Sequence, residues 1–315
     1  MKYIFTIILV LLLSCSGSAA DKYAGEIFVM GAGVRNFALG RCGLTDTASP
    51  AVAYWNAALL NAVEVTRFEL MHAEEYMGLL KYDTFAAAWA GPARFGLVLT
   101  RIGINNIPLT RLENPEEDIS PTNRPYKYKE VNNSDMVAYV GFARVVGRYN
   151  LGLTAKLAYR NLAEESGFGF GADLSIFKEL STNLLLGARL RDFCTTQILW
   201  GNGSHEIVNP GLDVEISYKT NLPRINIPAQ IFFSGEFHAE GMKEAATLSL
   251  GFISLDPHLG LALQAHPRLT IYAGYDIENV TAGLTIYINR FSINYSFEQV
   301  TELENSHRVS LGLNI

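Results

Sequence analysis

The sequence predicts an all-β protein, a transmembrane antiparallel β-barrel of about 14 strands with an N-terminal plug or hatch segment. Three observations predict it. From Glu64 to Ile315 the chain is built of segments in which apolar residues alternate with polar or small ones, the period of a strand with one oily and one wet face. Its first 20 residues have the form of an export signal, and its turns come in an order that suits strands crossing a membrane back and forth.

The alternation is plainest in Phe291-Ser292-Ile293-Asn294-Tyr295-Ser296-Phe297, and it returns at the end of the chain with Val309, Leu311, Leu313 and Ile315 on one face. A soluble sandwich alternates as well. Composition separates the two readings. Only 18% of the 315 residues are charged, 49% are hydrophobic, and Phe and Tyr are plentiful, whereas average soluble proteins carry roughly 25% charge. One large barrel takes a chain of this length into a single closed sheet.

Residues 1–20 open with Lys2, continue through the apolar run Ile4 to Leu13 and end on Ser18-Ala19-Ala20, the parts of a cleavable signal. That run is too short to cross a bilayer as a helix, and no later segment reaches the roughly 20 apolar residues a spanning helix needs. Leu12-Leu13-Ser14-Cys15 offers a rival reading as a lipid-attachment signal. The expected organisation is a signal at 1–20, a plug at 21–62 and a barrel at 63–315, in the outer membrane of a Gram-negative-type bacterium. Removing Lys2 leaves 24 basic against 31 acidic residues, a balance of -7, which disfavours nucleic acid as a partner. Cys42 and Cys194 remain in the mature chain; they are expected as buried thiols, with a disulfide between them the alternative in an oxidising compartment.

Short periplasmic turns alternating with longer outer loops give the strands in order. The first leaves the periplasm near Glu64 and turns outside at Glu74 to Gly78; the second returns to Gly91-Pro92; the third runs from Ala93 to about Gly103. Ile104 to Asn133, rich in Pro, Asn and Glu, is expected as a long outer loop. The fourth strand descends to Gly147-Arg148, the fifth spans Tyr149 to Asn161, the sixth Phe168 to Phe177, and a polar turn at Glu179 to Asn183 leads to the seventh, ending at Arg191. Asp192 to Pro210 is the second long loop, with Asn202-Gly203 as its turn signal. The eighth strand ends at Thr220 to Pro228 and the ninth at His238-Ala239-Glu240-Gly241. Ala245 to Gln264 reads as two short strands broken at Asp256-Pro257 or as one long strand, and parity favours one, which puts the Ala265 to Arg268 turn in the periplasm. Four more strands, separated by Asp276 to Asn279, Asn289-Arg290 and Gln299 to Ser306, bring the total to 14.

Inward charges are expected in cross-strand pairs: Arg67 and Glu69 facing Lys81 and Asp83, Lys156 and Arg160 beside Asp173, and Arg189 and Arg191 beside Asp213 and Glu215. On the lipid face each Arg or Lys would cost roughly 2 to 4 kcal/mol at mid-depth.

Residues 21–62 do not alternate. They carry Gly31, Gly33, Gly40 and Gly43, then Ala48-Ser49-Pro50, then Tyr54-Trp55-Asn56-Ala57-Ala58-Leu59, a small-residue segment for which a 14-strand lumen has room. Phe37-Ala38-Leu39-Gly40-Arg41-Cys42-Gly43 and the Tyr54 to Leu59 box resemble motifs of the PorV/PorQ family of outer-membrane proteins, whose barrel is similar to that of FadL fatty-acid channels. Ile107-Pro108-Leu109-Thr110, Arg191-Asp192 with Thr195, Thr196 and Trp200, Tyr272 to Asp276, and Leu303 to Leu311 resemble further landmarks of that family in the same order. Ala57 stands where the box usually has Pro, which frees a φ angle; Arg41-Cys42 replaces a Met-Gly pair, and Ile315 the usual aromatic end.

No catalytic, metal or cofactor site is expected. His307 and Ser310 lack an acid partner by spacing, the other histidines lack zinc-ligand spacing, and Glu113, Glu116, Glu117 and Asp118 read as a solvated run rather than a calcium site. The resemblance implies a non-enzymatic barrel that binds or shuttles secreted cargo in a type IX-like system, its partners being cargo proteins, secretion-complex components and outer-membrane lipid. The alternatives are a FadL-like channel for hydrophobic small molecules and a structural barrel that anchors partner proteins.

Overall fold

The computed structural model describes residues 25–223, 226–238, 247–250, 253–300 and 305–315. The expected signal at 1–20 lies outside the described residues, as do parts of the outer connections expected at His238 to Gly241 and Gln299 to Ser306.

Seventeen strands follow in chain order: β1 (Arg67–Glu75), β2 (Leu80–Ala88), β3 (Phe95–Arg111), β4 (Tyr126–Val146), β5 (Tyr149–Leu162), β6 (Glu165–Glu179), β7 (Leu184–Arg191), β8 (Thr196–Trp200), β9 (His205–Val208), β10 (Gly211–Leu222), β11 (Ile227–His238), β12 (Leu248–Leu250), β13 (Ile253–His266), β14 (Leu269–Asp276), β15 (Asn279–Ile288), β16 (Phe291–Glu298) and β17 (Ser306–Asn314). Fourteen of them form the wall. Each pairs antiparallel with the next, β17 returns to β1 from Arg67↔Asn314 to Glu74↔His307, and the sheet closes. The other three are outer additions: β8 lies on the upper part of β6, β9 on β8, and β12 on the start of β13. The single-strand reading around Asp256-Pro257 agrees with the ladder, because β13 runs through both residues unbroken from Ile253.

Both expected long loops are partly strand. β3 and β4 stay paired past Ile104↔Asn133 to Arg111↔Tyr126, leaving only 112–125 as the connection. Pro108 hides this ladder from the sequence by removing a donor, and a register shift between Ile104 and Ile107, with Asn106 at φ 59°, breaks the alternation. Within Asp192 to Pro210, β8 and β9 form a hairpin whose turn places Gly203 at φ 90°.

The wall has an apolar outside. Leu70, Leu157, Phe168, Phe233, Leu259, Phe291 and Leu311 are all exposed, a belt of the kind a bilayer covers. Phe68, Trp89, Phe95 and Phe142 form an aromatic chain near one end of the barrel, and Tyr159 meets Phe168 at 5.1 Å near the other. Beyond Tyr159 and Phe168 the next outward row is polar: Glu74, Lys81, Gly103, Ser134, Asn161 and Ser166.

Candidate functional site

Inside the wall the segment from Gly25 to Ala62 fills the lumen with two short α-helices, Val34–Ala38 and Val52–Trp55, and two 3-10 turns, Glu26–Phe28 and Ala57–Ala62. Helices this short do not hold themselves. Backbone groups of the helices and of the stretch between them are met instead by side chains from the wall. Glu69 accepts from Val34 N–H at 3.0 Å, while Glu215 accepts from Gly43 N–H at 2.8 Å and from the Thr45 N–H and hydroxyl at 2.7 and 2.6 Å. Arg67 donates to Thr47 O and Arg189 to Tyr54 O, each at 2.6 Å.

The Tyr54 to Ala58 box is the packed centre of this segment. Tyr54 meets Trp55 and Tyr139 edge-on, both at 4.9 Å, and its hydroxyl oxygen accepts from Gly31 N–H; Trp55 Nε1 donates to Ala32 O at 2.7 Å. Asn56 caps the following turn by accepting from Ala58 N–H at 3.0 Å, and donates to Leu44 O and to Ile176 O of the wall. Ala57 and Ala58 are fully buried because wall glycines let them in: a Cβ at Gly152 would lie 2.2 Å from Ala58 N, and one at Gly141 3.2 Å from Ala57 Cβ. Gly40, at φ 62°, lies against the β13 and β14 backbones, and a Cβ at Gly43 would strike the Trp55 ring.

The charged residues fall into four groups. Arg189 and Arg191 both reach Asp213, at 2.7 and 3.1 Å, and Lys156 reaches Asp173 at 2.7 Å. Glu215, Arg67 and Glu69 turn from the expected wall partners to the backbone of the inserted segment. Arg160 bonds Asp135 at 3.2 Å rather than Asp173. Lys81 and Asp83 do not face the lumen: Asp83 takes His72 at 2.7 Å and Arg101 at 3.5 Å on the outer face. The four-residue connection 76–79 pairs odd residues of β1 with even residues of β2, so Met71 and Thr84 share the inside and His72 and Asp83 the outside. An odd-length connection would reverse that parity, and every side chain of β2 would change face with it.

Sequence reasoning missed several lumen groups. Asp192 joins Lys156 and Thr196 where β7 gives way to β8, and Gly171 makes room there. Arg308 spans Glu75 at 2.6 Å and Glu298 at 2.9 Å while stacking 4.1 Å over Phe37. Buried His258 lies 2.9 Å from Asp276, which also faces Arg41. For Arg308 and His258 the signal was present, since each sits at an inward position of an alternating strand, but pairing needs the ladder; Asp192 lies in the connection after β7, where alternation gives no signal. His307 and Ser310 occupy opposite faces, and His307 meets the Tyr295 hydroxyl instead. Cys42 is buried, with burial pushing its thiol pKa up, whereas Cys194 is exposed rather than buried; the two are unpaired.

The inward faces divide the lumen. From β1 to β5 they carry an apolar cluster, Met71, Tyr82, Val98, Val137, Tyr139 and Ala158 packed on Phe28, Phe37 and the Tyr54-Trp55 pair, with Glu69, Thr84, Thr100 and Lys156 among them. From β13 to β17 they are small and polar, as in the bonded chain Tyr272, Thr285, Asn294, Ser310. Outside the apolar half the wall is concave. A groove of about 780 Å³ is lined by Leu70, Phe85, Leu99, Met136, Leu157 and Phe170, with Asp83 and Arg101 at its outer rim.

No family model matches the chain, and no curated protein does. Solved structures do match over nearly its whole length. The Ralstonia pickettii toluene transporter TbuX shares 12% identity at a TM-score of 0.54, covering 90% of this chain and 97% of its own. The Pseudomonas putida toluene transporter TodX shares 12% at 0.55, covering 90% and 98%, and a Pseudomonas aeruginosa FadL homologue 8% at 0.52, covering 91% and 98%. The PorV/PorQ resemblance of the motifs finds no support in these comparisons, and the secretion role it implied is not carried further. At such identities the likeness is one of fold, and that fold is the FadL-type barrel.

Proposed function

We propose that this chain is a FadL-type outer-membrane channel for hydrophobic small molecules, with residues 25–62 as the hatch that shuts it. The observation that carries the reading is the pairing of two apolar features across one stretch of wall. The concave groove outside β1–β6 and the aromatic cluster inside it are separated by a single sheet. Apolar solutes partition into both surfaces by loss of water contact. The likeness in fold to two toluene transporters supports the same reading.

Uptake of labelled toluene by a bacterial host lacking its own hydrocarbon channel tests it. Expression of the full chain raises the rate, and Ala138→Phe, which fills the groove floor between Leu99 and Leu157, lowers it several-fold. Uptake no faster than in the host without the chain overturns the channel reading.

A further inference from the structure

The polar half of the lumen holds cavities at both ends. At the periplasmic end two, of about 590 and 290 Å³, share Arg35, Ala48 and Tyr287 in their walls. At the outer end one of about 380 Å³ is walled by Arg41, Glu75, Arg191, Glu236 and Arg308 among others. Arg35 and Arg41 stand six residues apart, one on each side. The helix Val34–Ala38, about 7.5 Å long at 1.5 Å per residue, and the Leu39-Gly40 turn after it lie between, packed on Phe232, Ala262 and Tyr272 of the wall.

The wall repeats that division. On β13 His258 borders the outer cavity and Ala262 an inner one, with Gly260 between. On β15 the order is Asn279, Gly283, Thr285, and on β16 Glu298, Ser296, Asn294. The seal is a fit of small surfaces. A Cβ at Gly260 would come within 2.7 Å of Leu39 O, one at Gly274 within 2.3 Å of Gly40 N, and one at Gly283 within 2.5 Å of Ala38 Cβ. Thr281 donates to Ala38 O at 3.1 Å, whereas the stretch from Gly43 to Asn56 is held by Glu215, Arg67 and Arg189. Residues 38–40 themselves take this one wall hydrogen bond from Thr281, and the residues flanking them are tied to β14, Arg35 to the Tyr272 hydroxyl at 2.7 Å and Arg41 to Asp276 at 3.7 Å.

The geometry points to a second, axial activity: the half-lumen along β13–β17 conducts small hydrophilic solutes, and residues 38–40 seated on Gly260, Gly274 and Gly283 close it. This goes beyond the hydrophobic reading and does not depend on it. The larger inner cavity has room for on the order of 20 water molecules at ~30 Å³ each, enough for a pentose with its hydration. Its hydroxyl, amide and guanidinium lining exchanges hydrogen bonds with such a solute, while the aromatic half cannot.

Conductance of the purified full chain in planar bilayers, and swelling of vesicles in arabinose, test the inference. Gly274→Leu drives the seal off its seat and raises both at least tenfold over the unaltered protein. In a background of Cys42→Ser and Cys194→Ser, the pair Leu39→Cys and Gly260→Cys conducts freely when reduced, because a Cβ at Gly260 meets Leu39 O, and conducts at least tenfold less when oxidation ties residue 39 back to the wall. Gly103→Ala, in open space away from the seal, leaves conductance unchanged. The inference is overturned if Gly274→Leu, folded by heat-modifiable gel mobility, conducts no more than the unaltered protein, if the oxidised pair conducts as freely as the reduced one, or if Gly103→Ala raises conductance equally. Toluene uptake is read separately, so failure of either reading leaves the other standing.

Discussion

Replacing Glu215 with Gln puts a number on how the wall holds the inserted segment. The buried carboxylate takes three hydrogen bonds: Gly43 N–H on one oxygen, and Thr45 N–H and Oγ on the other, all between 2.6 and 2.8 Å. Glutamine keeps one accepting oxygen. Its amino group points a donor at a donor, so at least one buried N–H or O–H loses its partner, at about 1 to 3 kcal/mol, and the bonds that survive lose their charge assistance. The total is about 3 kcal/mol, or roughly 100-fold in the local opening equilibrium at 1.4 kcal/mol per tenfold. Hydrogen exchange of the protein in lipid nanodiscs reads this directly. The Gly43 and Thr45 amides exchange about 100 times faster in Glu215→Gln, while Phe233, in the β10–β11 ladder, keeps its rate. Exchange at 43 and 45 within twofold of the unaltered protein refutes the assignment, and so does an equal acceleration along β11.

Three further outcomes follow from the same geometry. Arg308→Met strands Glu75 and Glu298 as buried carboxylates, so stability in urea falls by about 3 to 5 kcal/mol, and adding Glu75→Gln recovers part of it. Gly152→Val pushes a side chain into Ala58 N and the Ala57 carbonyl carbon; overpacking of this kind costs about 1 to 3 kcal/mol or more and lowers the melting temperature, whereas Gly103→Ala, with open space around it, does not. A maleimide labels Cys194 alone in the folded mature protein, because Cys42 is buried with its thiol pKa raised; both label after denaturation, and labelling of Cys42 in the fold contradicts the packing around Leu39.

The strand count was legible because turns and alternation are local. Phe291 to Phe297 shows the same faces in the structure as in the sequence, with Ser292, Asn294 and Ser296 inside. Lys81 and Asp83 were misplaced by a local quantity as well, the length of one connection, since four residues at 76–79 rather than an odd number set which face β2 presents. The pairs of Arg189 with Asp213 and Lys156 with Asp173 were readable once neighbouring strands were known. What pattern alone does not carry is an acceptor or donor that belongs to the backbone. Glu215 beside Arg191 looks like half of an ion pair, and only the path of residues 43–45 shows that amide groups take its place. The concealed strand pairing at Ile104 to Arg111 is a related case, because Pro108 and a bulge disguise a ladder that its partner Tyr126 to Asn133 completes.

The division of the lumen explains why the inserted segment is anchored so unevenly. On the apolar side, burial of Phe28, Phe37, Tyr54 and Trp55 against Tyr82 and Tyr139 is worth on the order of 2 kcal/mol per large side chain and needs no exact register, so it fills volume. On the β7–β10 side, Arg189 and Glu215 fix particular backbone atoms, and such bonds fail when a residue shifts by an ångström. Against β13–β15 the contact of Ala38, Leu39 and Gly40 is chiefly one of shape, which lapses once the surfaces part and re-forms when they meet. In the axial opening proposed above, a segment pinned on the β7–β10 side would swing about that side, and the bonds of Arg35 to Tyr272 and of Arg41 to Asp276 would have to part as residues 38–40 leave the glycine seat.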